Sequence, residues 1–215
     1  MRRNTLLYNS TPPYVVAKFA TGSASATANI NITGIPTNGT VNMIVISTAG
    51  DSIPSVIDSS LNTYSGTTAY ANAGIYSKIY YIANPTVASS MTFTITGAYL
   101  STAVLILTGN PSSPTPSLDK NTGNNGTGTS LATGNITPSS NGQFIIACAA
   151  TGGPSTGTPS AVSGYTLINI PFSAGARQGL VTYYQTQTAA TTTGVTFSAT
   201  GTITYYSCTI ASFIN

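Results

Sequence analysis

An all-β fold is what this 215-residue sequence predicts, an antiparallel β-sandwich of jelly-roll or Ig-like type built from two duplicated halves. Three observations lead there. Short runs rich in Val, Ile, Thr and Tyr recur along the chain, and Gly, Pro, Asn and Ser punctuate them, which is the pattern of a sandwich. No stretch carries the apolar period of a helix. The second half also repeats the first at nearly constant spacing.

Strands are expected at residues 15–20, 26–32, 41–48, 75–83, 91–96 and 102–108. A second set is expected at 143–150, 165–170, 180–187, 195–200 and 205–213. Each is β-branched or aromatic, as residues that fit a pleated, half-buried surface tend to be. Met91-Thr92-Phe93-Thr94-Ile95-Thr96 alternates apolar and hydroxyl side chains, so one face should be buried and the other solvated. Ala103-Val104-Leu105-Ile106-Leu107 is an unbroken apolar run. It fits a buried strand and is far short of a membrane helix.

The repeat rests on collinear matches. Asn38-Gly39 matches Asn141-Gly142, and Tyr80-Tyr81 matches Tyr183-Tyr184, both at an offset of 103. Thr92-Phe93 then matches Thr196-Phe197, Gly97 matches Gly201 and Ile106 matches Ile210, all at 104. The halves are residues 26–109 and 132–215, connected by 110–131. That connection holds Pro111, Pro114 and Pro116 and then an Asn/Gly-rich run. Its composition allows a linker, a long loop or an edge strand. The expectation is an extended N-terminal arm over residues 1–14 and a single sandwich domain over 15–215, in which two halves cover each other as packed sheets.

Composition restricts function. Histidine, tryptophan and glutamate are absent, and the nine charged residues are Arg2, Arg3, Lys18, Asp51, Asp58, Lys78, Asp119, Lys120 and Arg177. Most catalysis needs a group that titrates near neutrality or a set of metal ligands. The expectation is therefore no enzyme, no metal and no cofactor. Six basic residues scattered along the chain do not form the cluster that phosphate neutralisation requires, so neither nucleic acid nor a membrane surface is an expected partner. Arg2-Arg3 is followed by no apolar segment, so no secretory signal is expected and synthesis is expected in a cytoplasm.

Candidate chemistry is sparse. Asp51 and Asp58 could act as a carboxylate pair or bind calcium; more ordinarily, aspartates in turns accept backbone hydrogen bonds. Ser77-Lys78 is a weak nucleophile pair beside the commoner reading of an edge-guarding lysine. Cys148 and Cys208 correspond in the repeat to Val45 and Val104, which marks both as core positions. A disulfide requires neighbouring strands, and free thiols suit cytoplasmic synthesis. The Asn-x-Thr sequons at Asn31, Asn38, Asn125 and Asn135 read as noise in a chain of this composition.

The tyrosines and the N-terminus point to contact surfaces. In Tyr80-Tyr81, Tyr183-Tyr184 and Tyr205-Tyr206, successive side chains point to opposite faces, so one ring of each pair should face outward. Such rings suit protein interfaces or sugar stacking. Strands with so little charge leave their edges open to association. The candidate partner-binding residues are Arg2, Arg3, Pro12, Pro13 and Tyr14 in the arm, with Tyr80, Tyr183 and Tyr205 on the strands.

Several segments resemble a β-sandwich module of phage virion proteins and bacterial surface proteins. They are Asp58-Ser59-Ser60-Leu61-Asn62-Thr63-Tyr64, Ile79-Tyr80-Tyr81-Ile82-Ala83-Asn84-Pro85 and Thr92-Phe93-Thr94-Ile95-Thr96-Gly97, continued by Leu118-Asp119, Gly126-Thr127-Gly128-Thr129-Ser130 and Gln143-Phe144-Ile145-Ile146-Ala147. The likeness spans about residues 26–215. Where the module usually has glycine before Asn-Thr-Tyr, this chain has Leu61, which bears on the local turn and not on the fold. The resemblance implies a non-enzymatic structural or binding role and brings no catalytic residues. The expected function is a virion structural protein, a capsid decoration or cement protein attached through its arm and sheet edges. Its partners would be capsid or tail subunits and further copies of itself, and its location the virion. The alternative is a tail or fibre module that binds host glycan.

Overall fold

Sixteen strands and no helix make up the described residues of the computed structural model, which are 14–109, 115–152, 161–170, 178–198 and 203–214. The first half contains β1 (Tyr14–Ala24), β2 (Thr27–Thr33), β3 (Val41–Gly50), β4 (Ser55–Asp58), β5 (Ser65–Gly66), β6 (Tyr70–Asn72), β7 (Ile75–Ala83), β8 (Ser90–Thr96) and β9 (Leu100–Gly109). The second contains β10 (Ser117–Gly126), β11 (Ser130–Ile136), β12 (Phe144–Gly152), β13 (Thr166–Ile170), β14 (Gln178–Thr186), β15 (Thr193–Ser198) and β16 (Tyr205–Ile214).

The strands form two large and two small antiparallel sheets. The first large sheet runs β1-β9-β3-β7-β5, with β6 also on β7, and the second runs β10-β16-β12-β14-β13. The two orders are the same order repeated. The small sheets are β2-β8-β4 and β11-β15.

Three apolar cores stack these sheets into four layers. Met43, Val45, Leu105 and Leu107 of the first large sheet meet Phe144, Ile146, Cys148 and Phe213 of the second. On its other face the first large sheet presents Ile44, Ile46, Val104 and Ile106 to Ile30, Met91, Phe93 and Ile95 of the small sheet. The second large sheet likewise presents Ile145, Ala147, Cys208 and Ile210 to Leu131, Val195 and Phe197. Successive side chains of a strand alternate faces, so a strand covered on both sides must be apolar throughout. That is why β3 and β12 are buried along their whole length, while β8 alternates buried and accessible positions. The alternation expected over residues 91–96 is observed. Each fully buried Ile, Leu or Phe adds roughly 1.5–3 kcal/mol, and most of the large ones lie in these three layers.

Across the central interface the strand orders run oppositely. β1 meets β13, β9 meets β14, β3 meets β12, and β6 meets β10, which approximates a two-fold relation between halves. Two hydroxyl pairs are buried in it: Ser47 Oγ with Thr182 Oγ1 at 2.8 Å, and Ser77 Oγ with Thr209 Oγ1 at 2.8 Å. At the repeat offsets, Ser47 corresponds to Ala150 and Thr209 to Leu105, so these polar pairs do not recur at the related positions. At the rim Asn125 Nδ2 donates to the Ala71 carbonyl and Asn72 Nδ2 to the Gly126 carbonyl. A Cβ at Gly123 would collide with the Tyr70 ring, so β10 needs a glycine there for β6 to close on it.

Two features refine the sequence reading. Of the three readings of residues 110–131, the edge strand is the one found for 117–126: β10 pairs β16 from Ser117 to Gly126 despite its Asn/Gly composition. The Tyr80-Tyr81 and Tyr183-Tyr184 match is also out of register. Val45 pairs with Tyr81 on β7, whereas its counterpart Cys148 pairs with Thr182, and Tyr184 lies opposite Ile146. The shift is two residues, so the facing of each tyrosine is kept. The Asn-Gly match has a direct physical cause, since Gly39 and Gly142 have φ of 78° and 79°, a region that glycine enters without penalty.

Candidate functional site

The residues singled out from the sequence are placed very differently. Arg2, Arg3, Pro12 and Pro13 lie outside the described residues, as does the arm except for its last member. Tyr14 is the first residue of β1 and is buried. Its hydroxyl donates to the Ile214 carbonyl at 2.9 Å, its carbonyl accepts from the Thr186 hydroxyl at 2.9 Å, and its ring meets Phe144 edge-on at 6.0 Å. Tyr14 therefore ties the first strand to the second half, and burial pushes its phenol well above the ordinary range.

Tyr80 and Tyr183 do not supply the outward rings expected of their pairs. Tyr80 is buried against the first small sheet, its hydroxyl donates to the Pro54 carbonyl, and burial pushes its pKa up to about 12. Tyr183 is buried between Phe197 and Tyr165 at ring distances of 5.2 and 6.4 Å. Alternation does send the two rings of each pair to opposite faces, but both faces of each large sheet are covered. Tyr81 and Tyr184 consequently pack on the central core. Tyr205 is 39% exposed at the start of β16.

Asp58 and Asp119 are structural acceptors. Asp58 Oδ1 accepts from the amides of Ser60 at 2.8 Å and Asn62 at 3.2 Å. Its Oδ2 accepts from Asn62 Nδ2 at 2.9 Å and the Tyr64 hydroxyl at 2.6 Å. Asn62 in turn holds Thr86, donating to its carbonyl and accepting from its amide. Burial, then the Asp58 hydrogen bond and charge, push the Tyr64 phenol far up. This is the aspartate turn that its motif residues predict. Asp119 Oδ2 accepts from the Ser139 amide and Gln143 Nε2. Burial pushes its carboxyl up, but those hydrogen bonds and Lys120 outweigh it and the net shift is downward.

Ser77 and Lys78 occupy successive strand positions and so opposite faces; Ser77 is committed to Thr209, while Lys78 Nζ lies 4.7 Å from the Tyr80 ring centroid. Cys148 and Cys208 are free and buried. They lie on adjacent strands but on opposite faces, one in the central core and one in the second half's own core. Burial pushes the Cys148 thiol up to about 12 and the Cys208 thiol well up, which leaves neither as a thiolate near neutrality. Among the described residues no three Cys, Asp or Glu side chains gather as a metal site.

Two surface features remain that sequence reasoning did not locate. The first is the outer edge of β1. Among the described residues this strand is last in its sheet and pairs only β9, and it carries Val15 and Phe19 at 52% and 55% exposure. Lys18 is its single charge. The second is a cleft of about 830 Å³ between the start of β1 and the end of β14, with Tyr14, Phe144 and Tyr184 in its walls. No sequence signal marks the cleft, because its walls come from the first strand of one half and from residues 141–144 and 184–188 of the other. Comparison with family models, curated proteins and solved structures finds no match to this chain.

Proposed function

We propose that the chain is a non-catalytic attachment protein, and that the assembly it serves is a virion, as a capsid decoration or cement subunit. The observation that carries the attachment role is the open edge of β1, eleven residues long with Val15 and Phe19 exposed. An unpaired strand edge with little charge is a template for a further strand. Residues 1–13, with Arg2, Arg3, Pro12 and Pro13, lead directly into that edge and would extend the contact. The virion assignment is supported by the motif residues from Asp58 to Tyr64 and their counterparts further along the chain. The hydrogen-bonded commitment of Asp58 and the scarcity of other ionisable groups favour a passive role.

Purified particles should contain the chain at high copy number by mass spectrometry. Recombinant protein should rebind to particles stripped of it, and Phe19→Lys should weaken rebinding at least tenfold while leaving the melting temperature unchanged. Deletion of residues 1–13 should weaken it further. Absence from particles would overturn the virion assignment; rebinding of the Phe19→Lys protein at wild-type strength would overturn the β1 edge.

A further inference from the structure

We propose that the cleft between the start of β1 and the end of β14 is a binding site for an uncharged oligosaccharide. The site is independent of whether β1 docks to a particle. Its volume, about 830 Å³, lies within the usual range for small-molecule sites. A second lobe of about 510 Å³ continues it along the loop into β15 and shares Gln185, Thr186, Gln187 and Thr188 with it. The groove is therefore elongated, as a chain of sugar rings requires.

The lining selects the ligand class. Among the described residues no charged side chain lines either lobe, so an anionic or cationic ligand would lose its hydration there without a counter-charge. An entirely apolar ligand would cover the amides and hydroxyls of Asn141, Gln185, Thr186, Gln187 and Thr188 without bonding them, at a similar cost. A hydroxyl-rich ring with an apolar face avoids both penalties. Tyr184 offers the platform for that face: it is half-buried and braced on Phe144, with ring centroids 6.0 Å apart and planes tilted by 32°. Gln187 supplies an unmet acceptor. It is 93% buried and donates through Nε2 to Thr191, while its Oε1 has no partner. Buried amide oxygens are rarely left so; this one is out of solvent contact, so a sugar hydroxyl would donate to it only once the Gln187 side chain turned toward the groove. An extended peptide is recognised chiefly through main-chain pairing at a strand edge, whereas the polar groups here are side-chain amides and hydroxyls.

The test is a panel of immobilised neutral hexose and N-acetylhexosamine oligosaccharides, alongside sialylated and sulfated ones and a random peptide library. The wild type should bind one or more neutral members. Tyr184→Ala should weaken that binding at least tenfold and Tyr184→Phe should restore it. Thr188→Arg, at an exposed rim position, should also reduce binding while leaving the melting temperature unchanged. The proposal is overturned by no binding to any neutral member, by binding confined to the sialylated and sulfated members, by equal binding of the Tyr184→Ala and Thr188→Arg proteins, or by selection of groove-dependent peptides without sugar binding.

Discussion

The first half carries a three-stranded small sheet, β2-β8-β4, whose end is closed by the Asp58 turn and its link through Asn62 to Thr86. Among the described residues the second half carries β11-β15 in the corresponding layer, and beside it lies the open groove lined by Gln185 to Thr188. The large sheets beneath them have the same strand order. The layer that each half uses to cover the other is thus alike in the two halves, whereas the described parts of the outward layers differ. The backbone differs in the same sense. Among the described residues, all four non-glycine residues with positive φ (Leu61, Ala73, Asn84 and Tyr99) are in the first half, while the second half uses only Gly128, Gly134, Gly142 and Gly164. Local strain of this kind persists where surrounding contacts over-determine the conformation, as the Asp58 hydrogen bonds do around Leu61.

The strongest way to break the comparison is to separate the halves. Expressed alone, residues 1–114 or 115–215 should expose the central face that carries Val45 and Leu105, or Ile146 and Phe213. A face of that size drives association. Each piece should therefore elute as an oligomer or aggregate by size-exclusion chromatography, and mixing should restore a one-to-one complex. The mixed complex should be preferred because Ser47 bonds Thr182 and Ser77 bonds Thr209 only across unlike halves; a pairing of like halves leaves those buried hydroxyls unmatched, at about 1–3 kcal/mol each. A stable soluble monomer of either piece would show that the central layer is dispensable.

A smaller effect should distinguish the outer layers. Asp58→Ala removes an acceptor of four hydrogen bonds and leaves the buried Tyr64 hydroxyl without its partner. Hydrogen bonds to a charged group contribute about 1.5–3 kcal/mol each in isolation, but bonds made in one network do not sum. A loss of about 2–4 kcal/mol is expected in urea unfolding, with β4 and the turn after it losing amide-exchange protection first. Equal loss of protection in β11 and β15 would mean that the turn stabilises the whole molecule and not its own layer.

How much of this was readable in the sequence depends on where a strand's partners come from. β7 was predicted at its observed bounds, and β3, β9 and β16 nearly so, because their own side chains carry the apolar signal. The unbroken apolar runs at Met43–Ile46 and Ala103–Leu107 also held the evidence for burial on two faces. β10 was one of three open readings, since Ser117–Gly126 has no strand propensity and is extended only because β16 offers it a ladder. β4, β5 and β6 are two to four residues long, too short for periodicity. For the site, the Asp58 turn was legible as local chemistry. The outward tyrosines failed at Tyr80 and Tyr183 because alternation gives the face but not what covers it. The cleft was invisible because it joins the first strand to residues more than a hundred positions further along the chain, in the second half.

The finest test of the difference between halves is the residue that departs from its motif. Leu61 sits at φ 58° and is 87% exposed. A left-handed backbone costs a residue with a Cβ roughly 1–2 kcal/mol, and an exposed side chain recovers little of that by packing. Glycine removes the cost but gains freedom in the unfolded chain, which opposes the benefit by roughly 0.5–1 kcal/mol. Leu61→Gly should therefore stabilise the protein by about 0.5–1 kcal/mol in urea unfolding with an unchanged slope. The reverse change in the other half, Gly142→Leu at φ 79°, should destabilise it by about 1–2 kcal/mol. If Leu61→Gly is instead destabilising, the Leu61 side chain makes a contact within the protein in solution that its exposure does not reveal, and that contact offsets the cost of its left-handed backbone.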